Sequence, residues 1–110
     1  MIDWNRVTEL RDEVGAEDFG EVVELFLEEV DEVIERLEAT DDRTKLEEDL
    51  HFLKGSSMNL GFATFSSLCQ FGETASAAGA SDTVDLNKIL VSFKASRAEF
   101  TAKTDIILRS

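Results

Sequence analysis

The chain has 110 residues, a length that predicts one domain covering residues 1–110. Its 24 acidic residues outnumber its 11 Lys and Arg residues, and the resulting net charge of −13 argues against nucleic acids and anionic membranes as partners. With no long apolar run, no secretory signal and a single cysteine, Cys69, which cannot form an internal disulfide, we expect a free-standing cytoplasmic protein.

The spacing of apolar residues predicts a short helix followed by four long amphipathic helices. The short helix covers about residues 4–14, with Asp3 as its N-cap and Gly15 at its end. The long helices cover about residues 18–38, 43–59, 62–78 and 83–107. These elements predict an all-α fold, an antiparallel up-down four-helix bundle with a short additional N-terminal helix. Because one chain supplies the complete bundle, we expect a monomer.

Acidic side chains line the outer side of the predicted helix 18–38. They are Glu21, Glu24, Glu28, Asp31, Glu32 and Glu35. A charged helix face is usually a solvated surface, and that interpretation is favoured here over a role in choosing partners.

The only histidine, His51, lies on the predicted helix 43–59, about 140° around the helix axis from the centre of its apolar face. Lys54 lies about one turn further on. Gly55 costs about 1 kcal/mol relative to alanine inside a helix, and it leaves the surface beside the imidazole without side-chain atoms. An exposed imidazole, a neighbouring ammonium group and a cleared surface point to phosphoryl chemistry, because neutral imidazole is a nucleophile near pH 7 and an ammonium group stabilises an anion.

The segment His51-x-Leu53-Lys54-Gly55-Ser56-Ser57-x-x-Leu60-Gly61 closely resembles the signature of histidine-containing phosphotransfer (HPt) domains. These are four-helix-bundle carriers in bacterial, fungal and plant phosphorelays. The resemblance implies that Nε2 of His51 exchanges a phosphoryl group with an aspartate of a receiver domain. It implies no cofactor in this chain, since the Mg²⁺ that assists the transfer is expected on the partner receiver domain.

The chain contains no Walker-type loop and no kinase glycine loop, so its phosphoryl group is expected to come from another protein. The partners that the resemblance implies are response-regulator receiver domains and a sensor or hybrid histidine kinase. We therefore expect a phosphoryl carrier without kinase activity of its own.

Several other residues receive roles from the resemblance. Lys54 is the candidate for stabilising the phosphoryl oxygens, and Gly55 provides clearance. Relatives often place Gln or Glu on the fourth helix to orient the imidazole, and here both Gln70 and Glu73 are candidates. Gly72 departs from the family, which tends to have a large apolar residue at that position.

An apolar patch around a reactive group, rimmed by charge, is typical of a transient protein interface. Met58 shares the exposed face of His51, and Phe52 and Phe62 are candidates for its border. These three residues form the predicted docking surface.

Two alternatives compete with the carrier hypothesis. The first is a non-phosphorylated module that docks receivers or regulates them by binding. The second is a metal site, because Glu48-x-x-His51 has the Glu-x-x-His spacing of di-iron bundles. Such a site needs two of these motifs, and this chain has one histidine, so we expect no metal.

Overall fold

The computed structural model describes residues 2–40 and 42–109, with side chains described over residues 2–40 and 42–104. Over these residues the chain forms five α-helices and one 3₁₀ turn. The helices are α1 (Trp4–Val14), α2 (Phe19–Ala39), α3 (Leu46–Asn59), α4 (Ala63–Ala77) and α5 (Leu86–Arg109), and the 3₁₀ turn is Ser81–Thr83. The predicted all-α bundle, with α1 as the additional N-terminal helix, is confirmed. In the described part of the chain, no helix combines the length and the apolar character needed to cross a membrane.

Helices α3 and α5 each begin three residues later than predicted, at Leu46 and Leu86. Both of the connections that precede them are tied together by Arg43, whose Nη1 donates hydrogen bonds to the carbonyls of Ser81 (2.7 Å) and Val84 (2.8 Å). Residue 43 therefore serves the loops rather than the first turn of α3. Asp41, which falls in the predicted turn before α3, lies outside the described residues.

The chain is anchored at its N-terminal end to the turn between α3 and α4. Asp3 caps α1 as predicted, since its carboxylate accepts a hydrogen bond from the N–H of Arg6 (3.3 Å). The N–H of Asp3 in turn donates to the carbonyl of Gly61 (2.7 Å). Gly61 has φ +78°, and a Cβ at this position would lie 2.6 Å from the carbonyl oxygen of Asp3, so only glycine fits between the two segments.

The core contains a cluster of phenylalanine rings at the turn between α3 and α4. Phe62 packs edge-on against Phe100 at a centroid distance of 5.3 Å, and Phe65 packs against Phe93 at 5.2 Å. Phe62 is completely buried. The prediction that it borders an exposed docking surface is therefore wrong. Phe62 precedes α4 in a tight turn, in which its N–H donates to the carbonyl of Ser57 (2.9 Å), and its ring enters the core.

An ion pair joins the second and last helices. The guanidinium of Arg97 on α5 donates two hydrogen bonds to the carboxylate of Asp31 on α2, at 3.0 and 2.7 Å. Side chains of α2 and α5 are therefore in direct contact, whereas α3 and α4 are the pair of helices that carries the candidate site.

Candidate functional site

The imidazole of His51 extends from α3 and is held by a carboxylate from α4. His51 Nδ1 lies 2.8 Å from Oε2 of Glu73, while 70% of the histidine side chain is exposed. A carboxylate can only accept a hydrogen bond, so in the neutral ring the proton belongs on Nδ1. The second ring nitrogen, Nε2, has no hydrogen-bond partner among the described residues and carries the lone pair. The arrangement presents one nucleophilic nitrogen to solvent.

The other oxygen of Glu73 faces Lys54. Lys54 Nζ forms an ion pair with Glu73 Oε1 at 2.7 Å and donates a hydrogen bond to Oε1 of Gln70 (3.0 Å). Gln70 is itself fixed, because its amide donates to the hydroxyl of Thr74 (3.1 Å) one turn along α4. His51 and Lys54 are three residues apart on α3, and Gln70 and Glu73 are three apart on α4, so each pair lies on one side of its helix. The contacts between the two pairs show that these sides face each other.

The pKa of Glu73 is lowered from its ordinary value, chiefly by the hydrogen bond from the Lys54 ammonium. Partial burial opposes this shift, and the contact with His51 adds to it. Glu73 is therefore ionised at neutral pH and presents a full negative charge to Nδ1 of the imidazole.

Gly55 lies on the exposed side of α3, one turn after His51. A Cβ built at this position would meet no atom within 4 Å. Internal packing therefore does not require glycine here, although glycine costs about 1 kcal/mol in a helix interior. What Gly55 does provide is a bare stretch of helix surface next to the imidazole.

An apolar groove of about 420 Å³ lies beside the histidine, between α3 and α4. Met58, which is 60% exposed, and Phe71, which is 77% exposed, are its large apolar residues, and Lys54 and Gln70 also line it. Phe52 is 37% exposed but does not line this groove. Phe71 was missed by the sequence interpretation, although it falls outside the inward arc of Phe65, Leu68, Cys69 and Gly72 and could have been found there.

The opposite side of His51 is acidic. Glu47 and Glu48 from α3 line a shallow depression together with His51 and Glu73. Over the described residues, no group of three or more His, Cys, Asp or Glu side chains has an arrangement that could hold a metal ion.

Cys69 lies on the inner face of α4 and is fully buried. Burial, assisted by the nearby charge of Glu73, raises the pKa of its thiol to about 12. A thiol in this state is protonated at neutral pH, so Cys69 packs in the core and does not compete with His51 as a nucleophile.

The structure thus brings together His51, Lys54, Gln70 and Glu73, with Gly55 and Met58 on the adjoining surface, and places Phe62 in the core. Comparison with curated proteins and with solved structures gave no match. The family model of the Hpt domain matches residues 21–100, which include α3, α4 and most of α2 and α5, whereas α1 lies outside the match. With well over half of its length matched and its one histidine held on the surface of the bundle, the chain belongs to the Hpt domain family, whose members are phosphotransfer modules of two-component signalling.

Proposed function

We propose that this chain is a phosphoryl carrier of a two-component phosphorelay, which exchanges a phosphoryl group between Nε2 of His51 and the aspartate of receiver domains. The observation that carries this proposal is the 2.8 Å contact of Nδ1 with Glu73 in a side chain that is otherwise largely exposed. A ring oriented in this way needs no rearrangement to meet a phosphorus atom presented by a partner.

In the forward step, the lone pair of His51 Nε2 attacks the phosphorus of an aspartyl phosphate in line with the leaving oxygen. The Nε2–P bond forms, the P–O bond breaks, and its electron pair stays on the aspartate carboxylate. Nδ1 keeps its proton, so positive charge develops on the ring, where the Glu73 carboxylate stabilises it. The reverse step passes the phosphoryl group to another receiver.

Lys54 has two roles in this proposal. Its ammonium group keeps Glu73 ionised and in place. The ammonium has three N–H donors; among the described residues it donates one hydrogen bond, to Gln70, and forms an ion pair with Glu73, and we assign a remaining N–H to an oxygen of the phosphoryl group. Gly55 leaves room for that group. The Mg²⁺ ion that neutralises its charge belongs to the receiver, and this chain supplies no cofactor.

Receiver docking is assigned to the groove lined by Met58 and Phe71, with Phe52 on the adjoining surface. Exposed apolar side chains next to a charged reactive group are typical of a transient interface. A sensor or hybrid histidine kinase is the source of the phosphoryl group through such receivers. The proposed carrier acts in the cytoplasm as a monomer, with residues 1–110 as one domain.

The test is transfer from a panel of purified receiver domains carrying ³²P on their aspartates. We expect acid-labile, base-stable label on the wild-type chain and none on His51→Gln. Label that persists on His51→Gln would overturn the assignment of His51. Complex formation without label for every receiver would favour a docking module that carries no phosphate.

A further inference from the structure

The contact between Gly72 and Leu50 lies directly beneath the pair formed by His51 and Glu73. Leu50 precedes His51 on α3, and Gly72 precedes Glu73 on α4. Both Leu50 and Gly72 are buried. The distance between the two helices at this level is therefore also the distance across which Glu73 must reach the imidazole.

At Gly72 the space for a side chain is limited, above all by Leu50. A Cβ at this position would lie 2.6 Å from Cδ1 of Leu50 on α3, 3.3 Å from Cγ1 of Val84 before α5, and 3.5 Å from Cδ1 of Ile89 on α5. Carbon atoms in contact lie about 3.5–4.0 Å apart, so the Leu50 contact would be short by about 1 Å. The Val84 distance is also tight, whereas the Ile89 distance is an ordinary contact, so the clash with Leu50 is the main obstacle to a side chain here.

We propose that Gly72 is a positioning residue, which allows α4 to approach α3 closely enough for Glu73 to hold Nδ1 of His51. The inference deepens the proposed phosphotransfer function and rests on it. If α4 moved outward by about 1 Å, the 2.8 Å contact would exceed the range of a hydrogen bond, which ends near 3.2 Å.

The alternative response to a side chain at position 72 is that Leu50 alone moves. Leu50 is fully buried among core residues, so its side chain has little space to turn away. The two responses differ in the contact between Glu73 and His51, because a shift of α4 separates these residues and a movement of Leu50 alone does not.

The test is the tautomer of His51, measured by long-range ¹H–¹⁵N NMR on the intact chain at a pH where the imidazole is neutral. The chain has one histidine, so its signals need no assignment. In the wild type we expect the Nδ1–H form to predominate. In Gly72→Ala we expect it to become the minor form, and the rate of phosphoryl uptake from a labelled receiver to fall about tenfold.

Two further variants separate positioning from general damage. The double variant Leu50→Ala/Gly72→Ala removes the clashing atom, and we expect it to recover the Nδ1–H form. Val30→Ala removes buried atoms from α2, and we expect it to lower stability while the folded protein keeps the wild-type tautomer.

The inference is overturned if folded Gly72→Ala keeps the wild-type tautomer, if the wild type does not prefer Nδ1–H, or if the double variant fails to recover it. The double variant also decides the matter if Gly72→Ala does not fold. If the Nδ1–H form changes among the variants as expected but the chain never accepts phosphate, the proposed function is contradicted and the role of Gly72 in placing Glu73 is not. Normal phosphate uptake with an unresponsive tautomer would contradict only the role of Gly72.

Discussion

Glu73 binds two partners with its two carboxylate oxygens, the imidazole of His51 through Oε2 and the ammonium of Lys54 through Oε1. The arrangement separates two contributions to transfer. In the proposed transfer, hydrogen-bond acceptance by Glu73 sets the tautomer of the ring, and its negative charge stabilises the cation that would form on phosphorylation of Nε2.

Replacing Glu73 tests these two contributions separately. Glu73→Gln keeps an acceptor for Nδ1–H but removes the charge, and a charged hydrogen bond exceeds a neutral one by roughly 1 kcal/mol, so we expect transfer to slow by about fivefold. Glu73→Ala removes both and is expected to be slower still. Single-turnover transfer from a phosphorylated receiver measures both rates, and wild-type rates in both variants would contradict the role of Glu73.

The lowered pKa of Glu73 makes a prediction about pH. The stabilisation from this carboxylate is present above its unfolded-state pKa and is lost as the pH falls through its lower folded-state pKa. Lys54→Met removes the chief cause of the shift, so we expect the Glu73 midpoint to rise toward its ordinary value. Titration of the side-chain carboxyl ¹³C signal measures both midpoints, with Lys94→Met, which alters an ion pair to Glu38, as the control. Equal midpoints in wild type and Lys54→Met would refute the assigned cause.

At the level of single residues, the spacing along one helix was enough to predict that His51, Lys54 and Gly55 lie close together on the surface of α3, whereas their roles in transfer stay a prediction. It was not enough to choose between Gln70 and Glu73, which are three residues apart on the same edge of α4. That choice depends on how α4 is set against α3, which helical periodicity alone does not give. In the structure Glu73 reaches His51, whereas Gln70 contacts Lys54.

Helices α3 and α4 together supply the histidine, its carboxylate partner and the apolar groove. If receivers dock in this groove, a charge on either of its two large apolar residues must weaken docking. We expect Met58→Glu and Phe71→Glu each to lower the second-order rate of transfer by about tenfold or more, in the range of a strong interface residue.

The matched control is Val91→Glu, on α5. Val91 is 59% exposed, close to the value for Met58, but it does not line the groove. We expect this variant to transfer phosphate at the wild-type rate. Equal rates for all three variants, with folding verified by circular dichroism, would reject the groove as the docking surface.

The turn between α3 and α4 depends on glycine at position 61. We expect Gly61→Ala to lower the free energy of unfolding by about 3 kcal/mol or more, because a positive φ and a 2.6 Å approach to the Asp3 carbonyl oxygen act together. Gly79→Ala has nearly the same φ, +82°, but meets no atom within 4 Å, so it is expected to cost only about 1 kcal/mol. Urea denaturation compares the two, and equal losses would exclude the clash with Asp3 as a factor.

Helical periodicity predicted the number, order and approximate ends of the helices, since each has a continuous apolar face. It failed at the connections. Phe62 is buried rather than exposed, because it follows a turn to which the periodicity of neither α3 nor α4 applies. Helices α3 and α5 begin later than predicted, and Arg43 holds the loops before them together. Contacts between loops far apart in the chain leave no periodic signal.

For the molecule as a whole, charge is distributed differently on the acidic face of α2 and around His51. The outer face of α2 carries exposed glutamates in the manner of a solvated surface, with Asp31 engaged by Arg97. Around His51, by contrast, charge is divided, with Glu47 and Glu48 on one side and Lys54 with the apolar groove on the other. A partner that approaches His51 therefore meets negative charge on one side of the imidazole and an ammonium group with an apolar groove on the other.

The central claim is that Nε2 of His51 carries the phosphoryl group, and the position of phosphate on the intact protein tests it most directly. After transfer from a phosphorylated receiver, ³¹P and long-range ¹H–¹⁵N NMR of the ¹⁵N-labelled chain locate the new bond. We predict phosphorus bonded to Nε2 of the single histidine, with the proton retained on Nδ1 opposite Glu73. Phosphorus on Nδ1, or on any residue other than His51, would contradict the account.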